Sequence, residues 1–188
     1  MKKYKLTTET LQFAGRTLHR IKAVKDFDSI KAGEFGGWIE NEKNLSQDDN
    51  AWIYGDAMVY DNAEVYDNAE VYDNAKVYGN ANVSGNAEVS GNAEVSDYAK
   101  VYGNAAIKGD AKVHDAVDYI VFKNFWSSGR YFTWTSSNNK WSVGCFYGTG
   151  EELIKKAYAD SEKSGREYER VVRYVESILA DEKKEKSN

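Results

Sequence analysis

The chain has 188 residues, 25 Lys/Arg against 30 Asp/Glu, a formal net charge of −5, no proline and one cysteine. A single cysteine excludes an internal disulfide and fits a reducing compartment, and the acidic balance does not suit a nucleic-acid binder. No apolar run is long enough to cross a bilayer, and no apolar segment follows Met1-Lys2-Lys3-Tyr4-Lys5, so a soluble, cytoplasmic protein is expected.

Residues 1–50 contain no repeat and read as an N-terminal cap. Residues 1–31 are basic, with eight Lys/Arg against three Asp/Glu. From Ala51 to Ala116 the chain changes character, with eleven consecutive hexads that each open on alanine, from Ala51 to Ala111. Each hexad carries a branched aliphatic two positions later, from Ile53 to Val113. A fixed short period is the signature of a solenoid. Six residues suit one short strand and one corner. Valine favours a pleated, half-buried surface. The corners, such as Asp61-Asn62-Ala63 and Gly79-Asn80-Ala81, hold residue types that tolerate positive φ or bond their own backbone. Three strand-and-corner units close a coil of eighteen residues, and coils stack about 4.8 Å apart. Residues 51–117 therefore read as a β-helix.

The residue after each aliphatic points outward. Tyr54, Tyr60, Tyr66, Tyr72 and Tyr78 occupy this row in the early coils, where Glu64, Asp67 and Glu70 lie among them. Tyrosine is enriched at interfaces, so this belt is the expected interaction surface and self-association its expected use. Four Lys/Arg against eleven Asp/Glu in residues 51–117 make the solenoid acidic, which solubility alone would explain. On one face Lys76, Glu94 and Lys112 stack one coil apart, an alternation of charge that does not resemble phosphate spacing.

Residues 118–188 abandon the period and read as a small α+β domain. Strands are predicted at 119–126, 130–136 and 140–147, joined by the turn sequences Ser127-Ser128-Gly129 and Ser137-Asn138-Asn139, as a three-stranded antiparallel meander. Two helices follow. Thr149-Gly150-Glu151-Glu152 and Ser164-Gly165-Arg166-Glu167 both fit a capping box. In the second helix Tyr168, Val171, Val172, Val175, Ile178 and Leu179 form one apolar stripe. That stripe packs on the sheet or on a neighbouring subunit, and Val171, Val172, Val175, Ile178 and Leu179 are the expected oligomer interface.

The hexads resemble those of left-handed parallel β-helices, with an aliphatic first and a small residue four positions on, as in Val65 and Ala69. Residues 3–117, including Lys3-Tyr4-Lys5-Leu6-Thr7, Gly36-Gly37-Trp38-Ile39 and Asn44-Leu45-Ser46-Gln47, resemble bacterial and phage hexapeptide-repeat proteins commonly labelled acetyltransferases or polymer-forming proteins. The resemblance implies the left-handed sense and assembly as a homo-oligomer, a trimer first and a dimer second. The segment Gly144-Cys145-Phe146-Tyr147-Gly148-Thr149 resembles tails of phage-encoded members. This resemblance implies a non-enzymatic phage or prophage accessory protein that occludes a bacterial host protein, in the manner of an anti-CRISPR inhibitor of a defence system.

Chemistry is sparse. His19 and His114 have no second His or Cys at metal-ligand spacing, and no phosphate-binding loop is present, so no metal and no cofactor are expected. Cys145 lies among aromatics, where a small buried residue is the default. The alternative function is an acyltransferase-like enzyme that uses acyl-CoA. Enzymes of the resembled family employ a histidine base beside an extruded loop. Here the hexads contain no insertion, and His114 is the one solenoid histidine, with no orienting partner visible in the sequence. A structural or virion component is the third reading.

Overall fold

The computed structural model describes residues 2–125 and 129–185. The chain enters as an antiparallel hairpin, β1 (Tyr4–Phe13) and β2 (Arg16–Ala23), followed by β3 (Phe35–Ile39). Short strands then recur every six residues: β4 (Trp52–Ile53), β5 (Met58–Val59), β6 (Glu64–Val65), β7 (Glu70–Val71), β8 (Lys76–Val77), β9 (Asn82–Val83), β10 (Glu88–Val89), β11 (Glu94–Val95), β12 (Lys100–Val101), β13 (Ala106–Ile107) and β14 (Lys112–Val113). They stack in parallel on three faces. The first face runs β3-β5-β8-β11-β14 and the hairpin widens it to seven strands. The second is β4-β7-β10-β13 and the third β6-β9-β12, with Leu45 bridging to Val65 beneath it. This is a parallel β-helix of about four turns.

The eleven alanines and the eleven aliphatics of the hexads are all 0% exposed. Valine fills each face and alanine fills the bend, so one apolar column runs the length of the rod. Every residue sits against the one eighteen positions on, and the side chains at the corners form ladders. Asn50 bonds Asn68 and Asn68 bonds Asn86, at 3.1 and 3.2 Å.

The corners also explain a change in the sequence. Asp61, Asp67 and Asp73 have φ near +60°, which a short polar side chain tolerates. Their carboxylates accept the N–H groups of Gly79, Gly85 and Gly91 one coil above, at 3.3, 3.0 and 3.0 Å. A Cβ on any of those three glycines would lie 2.8–2.9 Å from the backbone of the next coil. A coil cornered by aspartate is thus followed by a coil cornered by glycine.

The first coil is plugged from below. Lys3 is 1% exposed, and its ammonium donates to the carbonyls of Asp48 and Ala51 at 3.0 and 2.8 Å. The Tyr4 hydroxyl donates to the carbonyls of Glu42 and Leu45. Gly37 lets the chain cross tightly under this end, since a Cβ there would lie 2.5 Å from Ile53 Cγ2.

The terminal module is an antiparallel sheet in the order β15 (Tyr119–Lys123), β16 (Tyr131–Thr135), β17 (Lys140–Val143) and β18 (Phe146–Gly148), followed by α1 (Gly150–Asp160) and α2 (Glu162–Glu185). It has four strands where three were expected, because Gly144, at φ +57°, turns the chain and splits the last segment. Cys145 lies in that turn and is exposed, not buried. In the expected turn at Ser127-Ser128-Gly129, Ser127 and Ser128 lie outside the described residues, as does Trp126 at the end of the first expected strand. Strand alternation divides the sheet cleanly. Ile120, Phe122, Phe132, Trp134, Trp141 and Val143 pack on the helices, whereas Tyr119 and Val121 pack on the solenoid core.

The capping box at Thr149 and Glu152 is present. The second expected box is absent, because α2 starts earlier and Ser161 Oγ accepts from the Ser164 N–H at 3.1 Å. Val172 and Val175 are each 1% exposed within the chain, packed with Phe132, Trp141 and Leu153. Val171 and Leu179 are partly covered by the same cluster, and Ile178 is half-buried. The stripe expected at an oligomer interface therefore serves first as the core of its own module.

Val83→Asp would place an unpaired carboxylate in the apolar column, at a cost of roughly 3–5 kcal/mol or more. Because stacked repeats depend on their neighbours, the β-type circular dichroism should melt at a much lower temperature or be lost. An unchanged melting temperature would contradict an interior valine row.

Candidate functional site

Val113 points into the core, so the next residue, His114, must point out. The same register puts Ser96 one coil below it. His114 Nδ1 lies 2.7 Å from Ser96 Oγ and 3.2 Å from Asp97 Oδ2. Ser96 is 1% exposed, while the His114 side chain is about half exposed. The backbone is fixed as well. His114 N–H donates to Asp118 Oδ2 at 2.7 Å, and Asp115 N–H donates to the same oxygen at 3.0 Å. A carboxylate can only accept, so Asp97 favours the proton on Nδ1 and leaves the Nε2 lone pair free.

The imidazole therefore has the orienting partners that the sequence did not reveal. The signal was there: subtracting one coil from His114 gives Ser96, with Asp97 next to it. His19 lies elsewhere, on β2 opposite Ile39.

The tyrosines of the expected belt do not form one surface. Tyr60 and Tyr78 stack with centroids 5.1 Å apart on the first face. There Phe13 of the hairpin packs edge-on against Tyr60 and the Arg16 guanidinium lies over it, leaving Tyr60 6% exposed. Tyr54 and Tyr72 lie on the second face and donate to Glu70 and Glu88 at 3.0 and 3.1 Å. Tyr66 is on the third face, next to exposed Glu64. Asp67 is a corner residue that holds Gly85. Glu70 and Glu88 thus anchor tyrosines, and Lys108 adds an ion pair to Glu88 at 3.1 Å.

Between the second face and the terminal sheet lies a cleft of about 260 Å³, lined by Asn86, Glu88, Asn104, Lys108, Arg130 and Tyr131 among others. Among the described residues no cluster of His, Cys, Asp and Glu could hold a metal ion. Among the same residues no helix is long and apolar enough to cross a membrane.

Eighteen-residue coils built from an unbroken alanine–aliphatic hexad make this a hexapeptide-repeat β-helix. No family model matches it. It is similar to an Escherichia coli K12 protein named uncharacterized acetyltransferase YdcK, with 39% identity over 62 residues. The match covers 29% of this hexapeptide-repeat chain and 19% of that relative, so the chain spans about a fifth of the relative's length.

Burial keeps several phenols of the site region neutral. Burial, followed by the Glu70 charge, pushes Tyr54 up to about 12. Burial, followed by Tyr78 and Asp61, pushes Tyr60 up to about 12. Unfolded tyrosines ionise near pH 10. The stabilisation from neutral phenols is complete below that pH and is lost as the pH rises through the folded values. The melting temperature should therefore fall between pH 10 and 12. Tyr60→Phe, which keeps the ring and loses the ionisation, should reduce this fall in a thermal melt series.

Proposed function

We propose that this is an acyl-transfer enzyme of the hexapeptide-repeat type, with His114 as the general base. The observation that supports the reading is the clamp on Nδ1 by Ser96 and Asp97. Similarity to a protein named acetyltransferase points the same way. In this reading Nε2 takes the proton of an acceptor hydroxyl or amine as its heteroatom attacks the acyl carbonyl. The tetrahedral intermediate then expels the thiolate of the acyl donor, and the imidazolium returns the proton to sulfur. Asp97 acts as a positioning residue that also stabilises the imidazolium. The chain works as a homo-oligomer, a trimer through its flat faces.

A second reading is a non-enzymatic binding protein whose partner is a protein of the bacterial cytoplasm. It is favoured by the half-exposed side chain of His114, which is not among the residues lining the 260 Å³ cleft. Neither the fold nor the similarity supports a phage anti-defence role for that binding.

Acetyl-CoA consumption, followed by thiol release with amine and hydroxyl acceptors, separates the two readings. His114→Ala should lower turnover by about 10²–10⁴-fold with the fold intact. Asp97→Asn removes the carboxylate that orients the imidazole, so it should lower the rate while leaving the fold intact. Equal background turnover in parent and variants would leave the binding reading.

A further inference from the structure

The cleft of about 260 Å³ between the second face and the terminal sheet has the last coil as its floor. One coil below, Asn86 N–H donates to the Gly103 carbonyl and Ser90 N–H to the Ile107 carbonyl, at 2.7 and 2.9 Å. Asn104 and Lys108 hold the same places in the last coil, where no further coil follows. Among the described residues neither of their N–H groups has an acceptor. Ala106, between them, donates to Thr133 Oγ1 at 2.9 Å. The sheet therefore closes the strand edge at one residue and leaves a backbone donor on each side of it, and all three residues line the cleft.

The sheet contributes a further polar group. Ser142 lines the cleft and is 4% exposed, on the side of β17 opposite Trp141 and Val143. Its neighbours on this side are satisfied. Thr133 bonds Ala106, and Thr135 donates to Asn138 Oδ1 at 2.6 Å. Among the described residues the Ser142 hydroxyl has no hydrogen-bond partner. Buried hydroxyls are normally paired, so this one points to a group that the chain does not itself supply.

Charge completes the pattern. The Lys108 side chain is 21% exposed, and its ammonium lies 3.1 Å from the Glu88 carboxylate, which also accepts from the Tyr72 hydroxyl. Arg130 lines the cleft as well, with its stem running along Gly144. Two cations against one carboxylate leave the lining with a single positive charge.

We propose that this cleft binds a small monocarboxylate, held by Arg130, the Ser142 hydroxyl and the free amides of the last coil. A carboxylate only accepts hydrogen bonds, so it suits a site rich in donors, and its geometry matches the guanidinium fork. Its one negative charge balances the lining, whereas a phosphate dianion would leave an excess charge beside Glu88. His114 does not line this cleft, and the site is independent of the acyl-transfer reading.

The test is a titration of the full, isotope-labelled chain with sodium acetate, followed by amide chemical shifts. Sodium chloride at equal ionic strength and inorganic phosphate serve as comparisons. The amides of Asn104 and Lys108 should shift saturably with acetate and not with chloride. Ser142→Ala should weaken acetate binding several-fold without lowering the melting temperature, because the hydroxyl it removes has no partner in the free protein. Arg130→Gln should weaken binding by about tenfold or more, whereas Lys155→Gln, on the exposed side of α1, should leave it unchanged. If Arg130→Gln fails to fold, the pairing of weaker binding with an unchanged melting temperature in Ser142→Ala decides the matter. Shifts that do not saturate, or that chloride reproduces, would overturn the proposal. So would tighter binding of phosphate than of acetate, an affinity unaltered by Ser142→Ala, or a fall in that variant's melting temperature.

Discussion

Coil-to-coil register is the constraint on which the molecule depends. Each backbone N–H that leaves a coil finds the carbonyl seventeen positions on, as Glu64 finds Ala81 and Tyr66 finds Val83. A register slip of one residue would turn every valine outward, so the interior column holds the register and the register holds the column. The same arithmetic reaches the surface. It sets Asp61 under Gly79, Asn50 under Asn68, Glu94 beside both Lys76 and Lys112, and Ser96 under His114. Structural corners and the candidate catalytic corner are products of one translation.

A stack of this kind must also stop. The two ends are closed by different chemistry. At the first coil the unpaired groups are carbonyls, and the donors that meet them are an ammonium and a phenol. At the last coil unpaired N–H groups predominate, and the partners that meet them are the hydroxyls of Thr133 and Ser137 and the Asp118 carboxylate. Burial lowers the Lys3 ammonium to about 8, so below that pH the plug keeps a charge in an apolar setting. Its bonds to backbone carbonyls and its place 5.2 Å from the Phe27 ring compensate in part.

Repeat position made the solenoid legible in the sequence. Ala51 to Val113 could be placed because each hexad repeats the same local answer, and inward or outward direction followed from it. Features built across the repeats were harder to read. The aspartate-to-glycine change at Asp73 and Gly79 becomes meaningful only once coils are superposed. The covering of Tyr60 by Phe13 joins residues 47 positions apart that no local pattern connects. In the tail, Ser161 and Ser164 both suit a helix start, and the later one is already inside α2. The stripe through Val172 and Val175 announced a covered face but not its cover, which the aromatic rows of β16 and β17 supply. Thr133 and Ser142 alternate with Phe132, Trp141 and Val143 in plain view, yet the alternation reads as solvent-facing until the solenoid end is placed against it.

The candidate site follows the same logic of supply from outside. A general base gains most where water is excluded and charge is stabilised by fixed dipoles. His114 has fixed orientation but its side chain is about half exposed, so an acyl donor there would still need a wall against water. An extruded loop cannot provide one, because the hexads run without insertion. If the corner carries out acyl transfer, the wall has to come from another subunit placed along a flat face, and activity and assembly then stand or fall together. If the corner remains open in the assembled protein, its oriented imidazole is a hydrogen-bonding contact for a partner, and the clamp by Ser96 and Asp97 lowers the entropy lost when that partner binds.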